Sequence, residues 1–201
     1  MYATAMRIGT LGLCALTVAF SSGSPPPASA AAPDVVWSSD ASLSKVTLTV
    51  PYLFVSKINA MIPIESGTVV TTDASTTPLT VDLRFASAAL TTSDPKRDAD
   101  LAGDKFFDVT RYPTILFASD QIVETNATTF SVKGTLTMHG TSRPMLLEGR
   151  SLPEHRDTDG KRRVRYEATG SFRRSDYGMT YARGVVGNDI TLDVIIEAQS
   201  P

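Results

Sequence analysis

Few side chains in this sequence could perform acid–base or metal chemistry. The 201 residues include two histidines and one cysteine. His139 lies in a Met-His-Gly turn, and His155 lies in the polar stretch 153–157. Neither histidine belongs to a spacing such as H-x-x-x-H or G-x-S-x-G, which would bring together metal ligands or mark a nucleophilic serine. Packing or solvent exposure therefore explains both histidines better than ligation, and no metal site is predicted.

A cluster of aspartates is the next candidate, because carboxylates bind hard cations. Its members are Asp98, Asp100, Asp104 and Asp108, and their spacing does not match an EF-hand loop. Helix capping explains Asp98 and Asp104 more simply, with Asp104 preceding a short helical turn over 105–107. If the protein were an enzyme, Tyr166 and His139 would be the polar groups from which a site could be built. We predict no catalytic residues and no cofactor.

The charge balance suits a soluble protein and argues against a nucleic-acid-binding protein. The chain has 19 basic and 21 acidic residues, for a net charge of −2. A nucleic-acid-binding domain would be expected to present a basic face. The densest basic run, 161–165, follows an Asp-Thr-Asp-Gly turn and is predicted to begin a strand rather than to bind phosphate.

The first thirty residues have the pattern of a secretory signal peptide. Arg7 precedes an apolar run over 11–20, and Ala28-Ser29-Ala30 supplies a small-x-small cleavage pattern. We predict cleavage after Ala30, with Ala32 as the next choice, and a single mature domain over 31–201 that is exported to the periplasm or the medium. Leu13 before Cys14 disfavours lipid attachment there. The mature chain would then lack cysteine and need no disulfide.

Alternation of apolar and polar residues predicts about eight strands in the mature chain. Clear examples are the stretches 44–52, 79–85, 114–123, 130–138, 164–172 and 190–196. Short polar turns join most of them, which favours antiparallel pairing, because parallel strands need long crossovers. A one-sided apolar sheet must bury that face, either in a sandwich or in a closed barrel. The periodicity of apolar residues does not distinguish a sandwich from a barrel.

Three ordered motifs resemble one family. The segment 97–119 has the order RD-x-x-L, D-x-F-F-D-V, Y-P and F-x-S. The segments 134–144 (GTLTMHGTSRP) and 173–179 (RRSDYGM), the latter followed by VVGNDITLDVIIEA, continue the pattern. Together they resemble the YceI-like, lipocalin-like proteins of bacterial envelopes over roughly 35–198. Tyr52 and Ala60 stand where family members usually carry histidine and glycine, which affects only the rim around them.

The resemblance implies an all-β fold, an eight-stranded antiparallel lipocalin-like barrel with a short helical connector. It further implies a non-enzymatic protein that sequesters or carries a long apolar lipid of the polyisoprenoid or isoprenoid-quinone type. The alternative is an interaction module for envelope stress or electron transport that uses the barrel as a scaffold. An isoprenoid-like lipid is thus the expected partner, with no nucleic acid and with transient membrane contact.

The expected ligand-binding residues are those on the inner face of the strands, together with one from the connector. They are Val46, Leu48, Val50, Leu83, Phe85, Phe107, Phe117, Phe130, Leu136, Leu147, Tyr166, Phe172, Leu192 and Val194. A solidly packed barrel would show a similar set. Small residues at Ala168 and Gly170 favour an unfilled interior, since each leaves space on that face.

Three further expectations concern the rim of the barrel. The stretch 53–64 is apolar on both faces, so either both are covered or the stretch lines an opening and touches lipid. Arg97 is expected to tie the connector to the barrel rather than to hold a lipid phosphate. By the family resemblance, Arg174, Ser175 and Asp176 form a structural turn in which an Arg–Asp contact orders the last hairpin.

Overall fold

The computed structural model describes residues 34–200, so the predicted signal peptide lies outside the described residues. These residues contain one α-helix, α1 (Pro95–Ala102), and eleven strands. The strands are β1 (Asp34–Ser39), β2 (Lys45–Tyr52), β3 (Ser56–Pro63), β4 (Ser66–Thr72), β5 (Pro78–Ala86), β6 (Thr114–Asn126), β7 (Thr129–Met138), β8 (Thr141–Ser151), β9 (His155–Arg156), β10 (Arg162–Arg173) and β11 (Asp189–Ser200).

Eight long antiparallel strands close into a barrel, which confirms the predicted fold. β1 and β2 form one bent strand and β3 and β4 another, because β1 pairs with β4 while β2 pairs with β3. The remaining strands follow in the order β4-β5-β6-β7-β8-β10-β11, and β11 pairs with both β1 and β2. Closure removes the free sheet edges that a sandwich would leave. The two-residue β9 lies beside β10.

The alternation of the strands determines which side chains enter the barrel. On β7, Phe130, Val132, Leu136 and Met138 are buried, while their odd-numbered neighbours are at least partly exposed. Leu79 departs from the predicted pattern and is 49% exposed. The cause is a bulge: Val70 pairs with Thr80 and Thr71 pairs with Pro78, which leaves Leu79 between the two pairs and turns it outward.

The helix lies earlier than predicted. The side chain of Asp94 accepts hydrogen bonds from the backbone N–H groups of Lys96 and Arg97, and Pro95 occupies the first turn. An Asp-Pro pair is a strong start signal, because proline's φ angle suits that position and its missing donor is not needed there. The expectation that Asp98 and Asp104 cap a helix is therefore wrong. Asp104 lies in a turn after the helix has ended.

Asp98 instead stabilises the residues that precede α1. Its carboxylate accepts hydrogen bonds from the Thr92 hydroxyl at 2.6 Å and from the Thr91 hydroxyl at 2.7 Å, and these bonds lower its pKa. Arg97 forms an ion pair with Asp94, the N-cap of its own helix, at 3.1 Å from Nη2 to Oδ2. The expectation that Arg97 ties the connector to the barrel is wrong.

The basic run 161–165 begins β10 as predicted, and its charges are neutralised within the chain. Arg162 contacts Glu154 at 2.6 Å, and Arg165 contacts Glu197 at 2.8 Å. Arg163 lies within 3.4 Å of three aspartates, which are Asp40, Asp157 and Asp159. These pairings leave the run poorly suited to bind phosphate.

Candidate functional site

One end of the barrel carries most of the irregular structure, and we call it the connector end. Four connections meet there: the β2–β3 turn (53–55), the segment between β5 and β6 (87–113, the connector), the β7–β8 turn (139–140) and the β10–β11 loop (174–188). Aromatic contacts hold two of them together. Phe106 of the connector meets Tyr181 of the loop edge-to-face, with 5.5 Å between ring centroids.

His139 belongs to this packing rather than to a reactive site. Its Nδ1 donates a hydrogen bond to the backbone carbonyl of Tyr177 at 2.8 Å, and its ring lies 4.7 Å from that of Tyr112. Within residues 34–200, three or more histidine, cysteine, aspartate or glutamate side chains do not gather closely enough to hold a metal ion. In the same range no helix has the length and apolar character needed to cross a membrane.

The barrel interior contains an apolar cavity toward the connector end. The centre of a water-sized sphere can move through about 50 Å³ of it. Every lining residue is apolar: Val46, Leu48, Ile62, Leu83, Phe85, Phe107, Ile115, Phe117, Leu136, Met138, Met145, Leu147, Phe172 and Leu192. Phe107 is the member supplied by the connector, and it packs, partly buried, against the core. The candidate site is thus a narrow cavity with an entirely apolar lining.

A second, smaller cavity of about 30 Å³ lies deeper in the barrel. Leu83, Phe117 and Leu147 line both cavities and so separate them. Because these three residues line both cavities, the separation of the two spaces depends on the rotamers of their side chains.

The structure brings thirteen of the fourteen predicted ligand-binding residues to these cavities. Ten line the larger one: Val46, Leu48, Leu83, Phe85, Phe107, Phe117, Leu136, Leu147, Phe172 and Leu192. Phe130, Tyr166 and Val194 line the smaller one. Val50 is partly buried against the core and lines neither cavity. Ligand contact by any of them stays a prediction.

Sequence reasoning missed four residues of the larger cavity: Ile62, Ile115, Met138 and Met145. Alternation along the strands already placed Met138 on the inner face with Leu136, and Ile115 with Phe117. Ile62 was hidden by the continuously apolar stretch around it. Met145 lies on β8, where Pro144 and Leu146 obscure the alternation.

Of the two small residues expected to leave space, Ala168 lines the smaller cavity, whereas Gly170 leaves none. A Cβ atom on Gly170 would lie 2.6 Å from Cδ2 of Leu147, and one on Gly134 would lie 2.5 Å from the ring of Phe117. Neighbouring large side chains therefore fill the volume above each glycine. This close packing explains why the cavities are small although the barrel has eight strands.

Arg174 organises the loop at the connector end. Its side chain is buried and donates hydrogen bonds to the backbone carbonyls of Met179 (2.8 Å), Val186 (3.0 Å) and Gly187 (2.9 Å). Burial, and then the nearby charge of Arg183, lower its pKa. Arg174 does not pair with Asp176, since backbone carbonyls take its place. The Arg–Asp contact in this hairpin instead joins Arg173 and Asp189 at 3.4 Å. One guanidinium thus holds both ends of the stretch 179–187.

Tyr166 is the most polar group on the cavity walls. Its side chain is buried, and its hydroxyl finds no hydrogen-bond partner among the described residues. Burial, and then the charge of Glu154, raise its pKa, so the hydroxyl stays protonated and can donate. Its ring meets Phe130 edge-to-face with 6.4 Å between centroids.

Replacing Tyr166 with phenylalanine should leave the free energy of unfolding unchanged or raise it by about 1 kcal/mol. The reason is that a buried hydroxyl without a partner costs desolvation and returns no hydrogen bond. Chemical denaturation measures the difference, and Tyr181→Phe, at a half-exposed tyrosine, serves as the control. A clear loss of stability in Tyr166→Phe alone would show that the hydroxyl has a bonding partner in solution.

Comparison with known proteins finds a matching family model, related sequences and solved structures of the same fold. A family model described as a YceI-like domain matches residues 37–198. A UPF0312 protein of Pseudomonas putida strain F1 is 32% identical over 119 residues, which are 59% of this chain and 60% of that protein. The chain thus spans about 60% of the length of the P. putida relatives.

Two solved structures share the fold. Burkholderia cenocepacia BcnA matches with a TM-score of 0.70 at 16% identity, covering 79% of this chain and 98% of that one. A polyisoprenoid binding domain from Saccharophagus degradans, implicated in plant cell wall breakdown, matches with a TM-score of 0.59 at 14% identity. That match covers 83% of this chain and 99% of the other.

Proposed function

The chain belongs to the family of YceI-like domains, and on that premise we propose that it binds a long apolar lipid of the polyisoprenoid or isoprenoid-quinone type inside its barrel. The protein would then carry or sequester the lipid through water as a non-enzymatic binding protein. The signal-peptide pattern of residues 1–30 supports action outside the cytoplasm, in the periplasm or the medium.

The observation that carries this proposal is the uniform chemistry of the larger cavity, whose fourteen lining residues are all apolar. Such a wall offers nothing to a polar ligand but favours hydrocarbon, at about 0.8 kcal/mol for each methylene removed from water. A few prenyl units would therefore supply enough binding energy to offset ordering of the chain. Selection would depend on length and shape rather than on hydrogen bonds.

A lipid of that length needs more room than the structure offers, so binding must include opening. The cavities of about 50 and 30 Å³ accept only small groups as they stand. Met138 and Met145 can change rotamer at small cost, because the methionine side chain is unbranched. Phe107 belongs to the connector and can move with it. Entry from the connector end, with displacement of these side chains, would join the two cavities.

The test is lipid uptake by a pair of matched variants. Protein purified without detergent is exposed to vesicles that contain an isoprenoid quinone, and native mass spectrometry measures the retained ligand. Leu136→Trp narrows the larger cavity, whereas Leu146→Trp makes the same change at a residue 49% exposed on the neighbouring strand. We expect Leu136→Trp to reduce quinone retention about tenfold or more, which corresponds to the loss of one to two buried methylene groups. Leu146→Trp should retain as much quinone as the wild type.

Circular dichroism must show that both variants fold, since overpacking a core typically costs about 1–3 kcal/mol. A wild-type protein that retains no quinone contradicts the proposal. So does retention in Leu136→Trp equal to that of the wild type.

The nearly filled interior favours a second candidate, an interaction module in which the barrel is only a scaffold. This alternative predicts that charge substitutions in the stretch 53–64 disrupt a protein complex and leave quinone uptake intact. Lower quinone retention in Leu136→Trp supports carriage inside the barrel, whereas loss of a protein complex in the 53–64 variants with unchanged quinone uptake supports the scaffold.

A further inference from the structure

An exposed apolar projection stands at the connector end. Leu53, Phe54 and Val55 form the β2–β3 turn and are 49%, 90% and 91% exposed. We call these three residues the apolar tip. A soluble protein exposes scattered apolar side chains, but three in succession with two almost fully in solvent are unusual. The two faces of the stretch 53–64 are not both covered: Ala60, Ile62 and Ile64 are buried, whereas Met61 and the turn 53–55 are exposed. Contact of this stretch with lipid stays a prediction.

Specific backbone contacts hold the apolar tip in its conformation. Leu53 and Phe54 have φ angles of 51° and 63°, in the left-handed region that residues with side chains rarely adopt. Backbone hydrogen bonds hold the turn there: Leu53 N–H donates to the Val185 carbonyl at 2.8 Å, and Gly187 N–H donates to the Pro51 carbonyl at 2.8 Å. Such strain persists only where surrounding contacts impose it.

The β10–β11 loop extends the apolar surface beside the tip. Tyr181 is 50% exposed and Val185 is 40% exposed, and the loop joins β2 through the bridge between Tyr52 and Val186. The same loop is held by Arg174 through the three carbonyl contacts described above. Tip and loop therefore form one surface that is fastened to the barrel.

The charge of this surface is positive. The β2–β3 turn with its flanks (51–57) and the β10–β11 loop (174–188) carry two exposed cations, Lys57 and Arg183, against one exposed carboxylate, Asp176. Lys105 of the connector adds a third cation, 4.9 Å from the centre of the Tyr181 ring. The flanking Asp189 lies 3.4 Å from the guanidinium of Arg173, which offsets its charge. Exposed cations beside apolar side chains suit the boundary of an anionic bilayer, where lipid phosphates attract the cations and acyl chains receive the apolar groups.

The small size of the apolar tip favours a bilayer over a protein partner. A stable protein interface buries about 800 Å² on each partner against a complementary surface. The apolar tip has only three residues, 53–55, and is by itself far smaller than such an interface. A fluid bilayer needs no complementary shape, because lipids reorganise around an inserted side chain.

We propose that the apolar tip inserts into the interfacial region of an anionic lipid bilayer and docks the connector end of the barrel against it. Lys57 and Arg183 then face lipid phosphates, and Tyr181 lies at the headgroup level. This docking places the connector and the cavity next to the membrane, so that a lipid can enter without crossing water. The purpose of the docking rests on the proposed lipid carriage, but the docking itself does not.

Vesicle sedimentation tests the proposal on the purified protein. We expect binding to phosphatidylcholine vesicles that contain phosphatidylglycerol and weaker binding to phosphatidylcholine alone. Phe54→Ser with Val55→Ser should weaken binding about tenfold or more, because two interfacial apolar contacts are lost. Leu116→Ser with Val123→Ser is the matched control, at residues 42% and 47% exposed on the barrel wall, and should bind as the wild type does.

Substitution of Lys57 and Arg183 by glutamine should remove the preference for phosphatidylglycerol. Equal vesicle binding by the tip variant and the wild type would overturn the proposal. Concentration-dependent self-association that only the tip variant loses, without vesicle binding by the wild type, would also overturn it and assign the tip to a protein contact.

Quinone delivered from ethanol, without vesicles, separates this proposal from the proposed function. A tip variant that takes up quinone from ethanol but fails to bind vesicles supports both. A wild-type protein that binds vesicles but retains no quinone from either source supports docking and refutes carriage.

Discussion

Replacing Arg174 with alanine is expected to lower the free energy of unfolding by about 3 kcal/mol or more. The guanidinium is buried and donates to three backbone carbonyls at 2.8–3.0 Å. Hydrogen bonds to a charged group contribute about 1.5–3 kcal/mol each, and a carbonyl left buried without a donor adds a desolvation cost. The loop 179–187 would then open to water, and the three bonds would be lost together.

Arg173→Ala is the matched control, since Arg173 is adjacent and its side chain is 66% exposed. Its surface ion pair with Asp189 contributes little, so the change should stay within about 0.5 kcal/mol. Arg174→Lys should recover little of the loss, because a single ammonium cannot reach three carbonyls with the geometry of a guanidinium fork. Chemical denaturation measures all three variants. Equal stability of Arg174→Ala and Arg173→Ala would contradict the role assigned to Arg174.

Replacing Phe117 with alanine should lower the free energy of unfolding by about 3–5 kcal/mol, as expected for a large buried aromatic in a packed core. Phe117 is 4% exposed, separates the two cavities and covers Gly134. The variant would merge the two cavities into one, so an isoprenoid quinone should raise its melting temperature more than it raises that of the wild type.

Leu116→Ala provides the control, because Leu116 is adjacent but points outward and is 42% exposed. Its stability should remain within about 0.5 kcal/mol of the wild type. Thermal unfolding with and without quinone measures both effects. A smaller quinone-dependent shift in Phe117→Ala than in the wild type would indicate that lipid does not occupy the barrel axis.

Local patterns were enough to predict the strands and most of the cavity walls. The period of two in the stretch 130–138 put Phe130, Leu136 and Met138 on the inner face, where the structure has them. That success has a simple cause: a strand must send alternate side chains to opposite faces. Periodicity could not distinguish a barrel from a sandwich, and the resemblance of the three motifs, now confirmed by the family match, decided it.

Contacts between distant segments determined the rest. Arg174 donates hydrogen bonds to carbonyls 5 to 13 residues away, in a loop without regular structure. No local sequence pattern predicts these hydrogen bonds. The helix start is a different case, because the local Asp94-Pro95 pair signals it and the prediction at Asp104 overlooked that signal. Leu79 turned outward because a bulge in the pairing with β4 changed the register, which depends on the partner strand.

The sequence by itself determined the strand pattern, the family and the apolar character of the interior, because each of these follows from residue types at short spacing. Only the tertiary structure decided how much of that interior is empty. Cavity volume depends on which large side chain lies over which small one across neighbouring strands, as Phe117 does over Gly134 and Leu147 over Gly170. It also decided that the apolar turn 53–55 stands in solvent beside the loop 179–188, since that placement needs the barrel to close.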